Sequence, residues 1–578
     1  MHDDLISFFL DPQSPKQRQY EALRAYVLEG LPAAAVAQRF GFTEKSLYAL
    51  THDFRSGKLK FFPQRSTGPK DRRVTPYVRE TICEWRKKGR SVDDIVQLLR
   101  EEHIELSPST VERILKDAGF EKLPRRTAAR RGRTKKNTLI AQPSHNLDLK
   151  ELEPFHEECQ VAGLFLFLPY IIESGILEVL EALPLPESGV IGKKQAFLSF
   201  LALKLMGGKR LSHVRQYDHD AGLGLWAGLN KLPQPTYMGN YSCLLSAELC
   251  QQLQQQIMQR LRAWEPSLFS GQTINLDFHS IPHFGEQSEM EKVWCGARNK
   301  ALKGANTFFA QDAETNVMLY ANADVPRQDG SEEILHFVDY WQDIKGVVNE
   351  TLVFDSRLTT YQVLAQLDEA KVKFITLRRR GKSLAKRTDA LPDSSWQKVK
   401  LPIPKRKHHT FLANESEVTL KGCPKPFRQI IMKDHGRDEP TYVITNNRDL
   451  PLVEILVIYA RRWRIENQLA ELVDFFHLNA LSSPIMVRIF FDLLLSVIAS
   501  FLYRRFAQDL PRFEKHLAPE LFRDFIDMPG RVRFDGKQFE VRIRKRAHTP
   551  ILLGVKNLQQ PIPIPWLDGR QLQIRFTL

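Results

Sequence analysis

The chain has 578 residues, 43% apolar and 26% charged, the balance of a folded globular protein, which excludes a mainly disordered one. Its 83 Lys and Arg against 68 Asp and Glu leave a formal net charge of +15. An acidic macromolecule, nucleic acid or an anionic membrane, is therefore the first partner to look for.

The length predicts roughly four structural units at about 150 residues each. The charge is uneven. Residues 1–137 hold 28 Lys and Arg against 18 Asp and Glu, a net of +10, so the remaining 441 residues (578 − 137) carry only +5. That concentration predicts a nucleic-acid-binding part at the front of the chain. The opening MHDDLISFFLDPQSPKQRQ has no basic stretch followed by an apolar run, so no secretory signal is expected. The best apolar stretch, Ile489 to Tyr503, spans about 15 residues, includes Asp492, and reads as a buried helix rather than a membrane span. Six cysteines form no CxxC pair; Cys243 and Cys250, spaced i, i+7, come nearest. A disulfide scaffold or zinc ribbon is not expected, and a cytoplasmic location is. Without a GxxxxGK[ST] loop, no nucleotide cofactor is expected.

Residues 1–60 predict a first helix-turn-helix unit. After the helix SPKQRQYEALRAYVLEG comes LPAAAVAQRFGFTEKSLYALTHDF. Pro32 suits a first helical turn, Val36 and Ala37 face inward, Gly41 makes the tight turn, Thr43 caps the next helix, and Leu47 and Leu50 face the core. The exposed face of that second helix would carry Lys45, Ser46 and Tyr48, candidates for the major groove. Residues 61–121 predict a second such unit, with Ser107 as N-cap, Pro108 in the first turn and Gly119 ending the helix. Residues 122–150 form a basic linker or arm. Eight of the 16 residues in KLPRRTAARRGRTKKN are Lys or Arg, with Arg131 and Arg133 flanking Gly132. Such an arm neutralises phosphates or lies in a minor groove.

Residues 151–268 read as a helical domain. Its loop DHDAGLGLWAGLNKLPQPTY brings Asp218, His219 and Asp220 together, but three adjacent loop residues do not converge on one ion without special backbone geometry, and a structural role is preferred. From 273 the pattern changes. TINLDFHSIPHF, TFFAQD and VMLYANADV predict three strands, SEEILHFVDYWQDIK a helix, TLVFDS a strand, TTYQVLAQLDEAK a helix and VKFITLRRR a fifth strand. That order is expected of an RNase H-like domain, placed at 269–510. Asp277 in the first strand and Asp355 at the end of the fourth would then converge, and two such carboxylates suit Mg²⁺. PLVEILVIYARRWRIENQLAELVDFF predicts one long helix over 451–476, carrying Tyr459, Arg462 and Glu466 on one face. Asp277, His279 and His283 could alternatively hold zinc, but a further imidazole or thiolate would be needed.

These motifs together resemble the bacterial insertion-sequence DDE transposases of the YREK-signature group. The resemblance rests on DHDAGLGLWAGLNKLP, INLDFHS, LVFDSRLTTYQVLAQL and YARRWRIE. It implies a catalytic, metal-binding triad of Asp277, Asp355 and Glu466, with Tyr459 and Arg462 on DNA and Mg²⁺ replaceable by Mn²⁺. The Lys of the signature falls at Val473 here. The resemblance also implies a β-rich insertion at about 380–447, where Lys405, Arg406 and Lys407 would contact phosphates. Trp396, on a polar loop there, could stack on a flipped base, although most such tryptophans pack locally. A C-terminal β-containing region, 511–578, holds a hairpin turning at Asp535-Gly536, with charged faces that either touch DNA or are solvated.

The expected fold is thus multidomain α+β: all-α helix-turn-helix units, a helical middle segment, and an RNase H-like α/β core interrupted by a β-rich insertion. The expected function is binding of terminal inverted repeats, metal-dependent strand cleavage and strand transfer into target DNA, by a homodimer on double-stranded DNA with no membrane partner. The rivals are an inactive or repurposed relative that only binds DNA, and a structure-specific nuclease.

Overall fold

The computed structural model describes residues 9, 12, 14–62, 74–88, 90–121, 143–284, 290–295, 298–326, 328–402, 410–436, 438–481 and 483–577. The basic arm at 122–137 and the Lys405–Lys407 cluster lie outside them. The chain divides into two units, residues 1–140 and 141–578.

In the first unit, α1 (Pro15–Val27) starts where Ser14 Oγ accepts the Gln17 N–H at 3.1 Å. Helix α2 (Ala33–Phe40) stops at Gly41, whose φ of +69° is the left-handed backbone that glycine tolerates best. Helix α3 (Glu44–Arg55) begins with Thr43 Oγ1 accepting the Ser46 N–H at 3.2 Å. Ala22, Ala25, Val36, Phe40 and Leu47 form one apolar cluster with Phe42 packed on it, while Leu50 is only half-buried. Helices α4 (Pro76–Lys87), α5 (Val92–Glu101) and α6 (Pro108–Asp117) build a separate cluster around Ile82, Ile95, Leu99 and Val111. Ser107 caps α6 through the Thr110 N–H, with Pro108 in the first turn.

The second unit opens on a strand, β1 (Phe155–Cys159), although the sequence pattern there reads as helical. Then come α7 (Leu168–Glu173), α8 (Ile176–Ala182), α9 (Lys193–Leu205), α10 (Ala221–Trp226), α11 (Pro235–Ser242) and α12 (Ala247–Trp264). Asp220 is the cap of α10. It is 2% exposed, and its carboxylate accepts the Leu223 N–H at 2.9 Å and the Gln160 N–H at 2.7 Å. That agrees with a structural rather than a metal-binding role for the DHD loop.

The central sheet has ten strands: β2 (Thr273–Pro282), β3 (Lys292–Cys295), β4 (Lys300–Asp312), β5 (Met318–Asn322), β6 (Thr351–Val353), β7 (Phe374–Leu377), β8 (Gln397–Lys400), β9 (Thr410–Val418), β10 (Phe427–Lys433) and β11 (Thr441–Thr445). Its order is β3-β4-β2-β6-β7-β11-β10-β9-β8, with β5 also paired to β4. The β2–β4 and β4–β5 pairs are antiparallel, β2–β6 and β6–β7 parallel. The parallel crossovers run through α13 (Glu333–Lys345) and α14 (Tyr361–Glu369). The four strands of the inserted segment are not a separate layer. They extend the same sheet, because β11 pairs with the outer edge of β7.

Helix α15 (Lys382–Asp389) precedes β8. The expected single helix over 451–476 is two: α16 (Leu452–Ala460) and α17 (Trp463–Asp474). Helix α18 (Met486–Gln508) follows, buried along most of its length and packed against α9 and α12. It is long and apolar enough to cross a membrane, and 78% of its most apolar stretch is buried inside the fold. A second sheet closes the chain, ordered β1-β12-β13-β15-β14, from β12 (Gly530–Phe534), β13 (Phe539–Arg544), β14 (Ile562–Ile564) and β15 (Arg570–Thr577). Strand β1 thus pairs with β12 from the far end of the chain. One apolar cluster runs from Leu149 to Ile574, so residues 268 and 510 mark no break in the core.

Candidate active site

The parallel register of β2 and β6 positions the first two carboxylates. Asn275 pairs with Val353, and two residues beyond that pair come Asp277 and Asp355. Asp277 continues along its strand, while Asp355 follows the end of the neighbouring one, and the Asp355 charge acts on Asp277. Strand β6 ends at Val353, and the turn that follows is fixed around Asp355. Its Oδ1 accepts the Arg357 N–H at 2.9 Å, and its backbone carbonyl accepts the Thr359 hydroxyl at 3.1 Å.

The third carboxylate comes from the junction of α16 and α17. There the i→i+4 bonding gives way to shorter steps: the Arg462 N–H donates to the Tyr459 carbonyl, Arg464 to Arg461, and Ile465 to Arg462, all at 3.0–3.1 Å. Residues i and i+3 eclipse in such a 3₁₀ step, which brings Arg462 beneath Tyr459. The Arg462 guanidinium then bridges two acids, with Nη1 2.9 Å from Asp277 Oδ2 and Nη2 2.7 Å from Glu466 Oε1. Glu466 sits in the first turn of α17, where a negative charge suits the helix dipole.

The electrostatics are those of crowded like charges. Burial, then the charges of Asp355 and Glu466, push the Asp277 carboxyl up to about 6, against the pull of Arg462. Burial works against the Arg462 charge, but Asp277, Tyr459, Glu466 and Asp355 hold it more firmly protonated than usual. Two carboxylates therefore share one guanidinium, with the Asp355 charge close by. Their hard oxygens and surplus negative charge fit a divalent cation. Among the described residues, no three His, Cys, Asp or Glu side chains are gathered tightly enough to hold a metal ion. Arg462 is interposed between Asp277 and Glu466 instead.

Further expected residues fall elsewhere. His279 Nε2 is hydrogen-bonded to Asn479 Oδ1 at 2.8 Å, and burial lowers its pKa, so it does not turn to Asp277 as a zinc pair would. Val473 is half-buried and packs on the main core. Trp396 is half-buried, with the Lys433 ammonium 4.0 Å from the centre of its ring, which leaves only the opposite face for a base. In the first unit, Lys45, Ser46 and Tyr48 are all exposed on α3. Arg131, Arg133, Lys405, Arg406 and Lys407 lie outside the described residues.

The structure adds two arginines to which sequence reading gave no role. Arg357 donates to Asn306 Oδ1 at 2.8 Å and lies over the Phe278 ring, beside Asp277. Arg379 donates to the carbonyl of Ser356 at 3.1 Å. Their signal was only their nearness to Asp355 and to the strand end at Leu377, since nothing periodic marks them.

Residues 269–502 match the family model for the transposase DDE domain. Asp277, Asp355, Arg462 and Glu466 all lie within that stretch. Among solved structures, the piggyBac transposase synaptic complex with hairpin DNA overlaps with a TM-score of 0.31 at 10% identity, over 64% of this chain and 88% of that one. The Mos1 strand transfer complex overlaps with a TM-score of 0.14 at 10% identity, over 64% and 78%. These overlaps are too slight to bear on the site. No curated protein matches the chain.

Proposed function

We propose that this protein is a DNA transposase whose catalytic groups are Asp277, Asp355 and Glu466. The observation that carries the reading is the Arg462 bridge between Asp277 and Glu466, at the strand ends where Asp355 also emerges, inside the segment that matches the DDE domain. The sheet order β5-β4-β2-β6-β7 with helical crossovers supports an RNase H-like core.

The three carboxylates would hold Mg²⁺, with Mn²⁺ as a substitute. The metal, when bound, supplies Lewis-acid stabilisation of charge on the attacking and leaving oxygens. The chain's own residues do the rest. Arg462 holds Asp277 and Glu466 in register and presents a cation to the scissile phosphate. Tyr459, one 3₁₀ step away, offers a hydroxyl to the same strand. The exposed face of α3, with Lys45, Ser46 and Tyr48, would read the terminal repeats in the major groove, and Arg131 and Arg133 would follow the backbone. Lys405, Arg406, Lys407 and Trp396 would contact DNA from the inserted segment. Two ends must be paired, so the working form would be a homodimer on double-stranded DNA.

The test is a cleavage and strand-transfer assay on a supercoiled plasmid carrying the gene with its native flanks. Purified protein with Mg²⁺ is expected to cut at matching repeats and to form joined products, and Glu466→Gln to do neither. Specific binding without cuts, in Mg²⁺ or Mn²⁺, would favour the DNA-binding reading, which Val473 in place of a cation supports. Cuts without joined products would favour a nuclease.

A further inference from the structure

The five-stranded sheet has one face in the core and one face open. Val532, Val541, Ile543, Leu572 and Ile574 turn inward and are buried. The opposite face carries Glu158 on β1, Arg531 and Arg533 on β12, Glu540, Arg542 and Arg544 on β13, and Arg575 on β15. Five arginines against two glutamates give that face a net charge of +3.

The register makes the excess unusual. Arg531 stands directly opposite Arg542, and Arg542 directly opposite Arg575. Three arginines thus form one row across three adjacent strands. Like charges directly opposite one another destabilise a sheet, and Glu158, which faces Arg531 at the edge strand, offsets only part of this row. The counter-charges are thin. Glu540 holds Arg542 at 2.6 Å and reaches Arg575 at 3.7 Å, while Glu158 meets Arg531 at 3.3 Å at the sheet edge, where both are more than half exposed. Arg533 and Arg544 make no ion pair with a described residue.

We propose that this face is a phosphate-binding surface for duplex DNA, a docking site distinct from the carboxylate site. The inference rests on the DNA-processing reading above for the identity of the anion. Arginine rather than lysine supplies every cation, and its planar fork suits phosphate oxygens. No exposed Phe, Tyr or Trp stands on the face, so it lacks the stacking rings with which single strands are held. It also lacks any large exposed apolar side chain that would enter a bilayer. Neighbouring arginines are separated by about 4.8 Å between strands and about 6.7 Å along one, so several phosphates can be met at once.

The experiment measures binding of the full-length chain to a random-sequence duplex, without divalent metal, across a salt series. The triple variant Arg531→Gln, Arg542→Gln, Arg575→Gln is compared with wild type. Each lost phosphate contact flattens the plot of log K against log salt by about 0.9, so the slope is expected to fall by about 2–3. Affinity at low salt is expected to drop at least tenfold, with a melting temperature close to wild type, because relief of the like-charge row offsets the ion pairs lost to Glu158 and Glu540. The double variant Arg533→Gln, Arg544→Gln removes no ion pair to a described residue; it is expected to fold and to flatten the slope by about 2. Unchanged slopes in folded variants would overturn the proposal. So would an unchanged DNA slope together with lost binding to phosphatidylserine vesicles, which would assign the face to a membrane. If wild type binds no duplex at all, the DNA-processing reading falls first.

Discussion

Replacing Asp277 with Asn should make the metal-free protein more stable at neutral pH, although it removes one of the three carboxylates proposed to be catalytic. The Asp277 side chain is only 17% exposed, and its carboxyl is pushed from the ordinary 3.8 to about 6, by burial first and by Asp355 and Glu466. At about 1.36 kcal/mol per tenfold change in acidity, holding the charged form in the fold costs about 3 kcal/mol. The folded pKa is raised above the unfolded one, so the stability tied to the proton is fully present below about pH 3.8 and lost as pH rises through about 6. Asn cannot ionise and keeps that contribution. The variant should match wild type near pH 4, pull ahead between pH 4 and 6, and level off at about 1–3 kcal/mol above it. For a unit of this size that is on the order of 1 °C per kcal/mol in a thermal scan, so urea unfolding in EDTA at pH 4, 5, 6 and 7 is the better assay. Mg²⁺ should then close the gap from the wild-type side, by about 2.7 kcal/mol at a hundred times its Kd, and leave the variant unmoved. A variant less stable than wild type at pH 7 in EDTA, or a gap independent of pH, would refute the reasoning.

Arg462→Ala leaves Asp277 and Glu466 without their cation and should cost about 3 kcal/mol in metal-free buffer, a loss that millimolar Mg²⁺ narrows; a loss that Mg²⁺ leaves untouched in the same unfolding curves would sink the shared-charge account. Asp220→Ala removes the buried cap of α10 and should cost about 2–4 kcal/mol, equally with EDTA and with zinc; a zinc-dependent difference would restore the metal reading of that loop. Gly163→Ala would place a Cβ 2.2 Å from the Ile526 carbonyl oxygen and against the rest of that residue's backbone. It should cost about 2–3 kcal/mol or more, read as a lowered melting temperature, and a neutral result would mean that the turn at Ile526 yields.

Local chemistry was legible in the sequence wherever one residue type decides one backbone feature. Gly41 turns left-handed, Thr43 and Ser107 cap their helices, and strands form over Asp277 and just before Asp355, although the second stops at Val353 and leaves Asp355 in the turn. What escaped depends on pairing across long separations. Strand β1 looks helical in isolation because its partner, β12, lies some 370 residues downstream. The inserted strands read as a domain of their own because nothing in β11 announces that its edge will meet β7. The row of arginines on β12, β13 and β15 is invisible in a linear reading, since it exists only through register.

The junction at Arg462 shows how a sound spacing can rest on incomplete geometry. Tyr459, Arg462 and Glu466 do converge, but not as one stripe on a continuous helix. A regular helix would carry residues 459 and 462 on adjacent ridges and continue toward 466 on the same axis. The 3₁₀ step instead eclipses Arg462 with Tyr459 and starts α17 afresh at Trp463. Two consequences follow from that one irregularity. The Arg462 guanidinium can reach back to β2 and Asp277 while still holding Glu466. Glu466 also falls in a first turn, where the helix dipole favours its charge, rather than in mid-helix, where it would not. A single unbroken helix would lose the second effect and weaken the first. The break, more than the spacing, is what brings a third carboxylate to the strand ends.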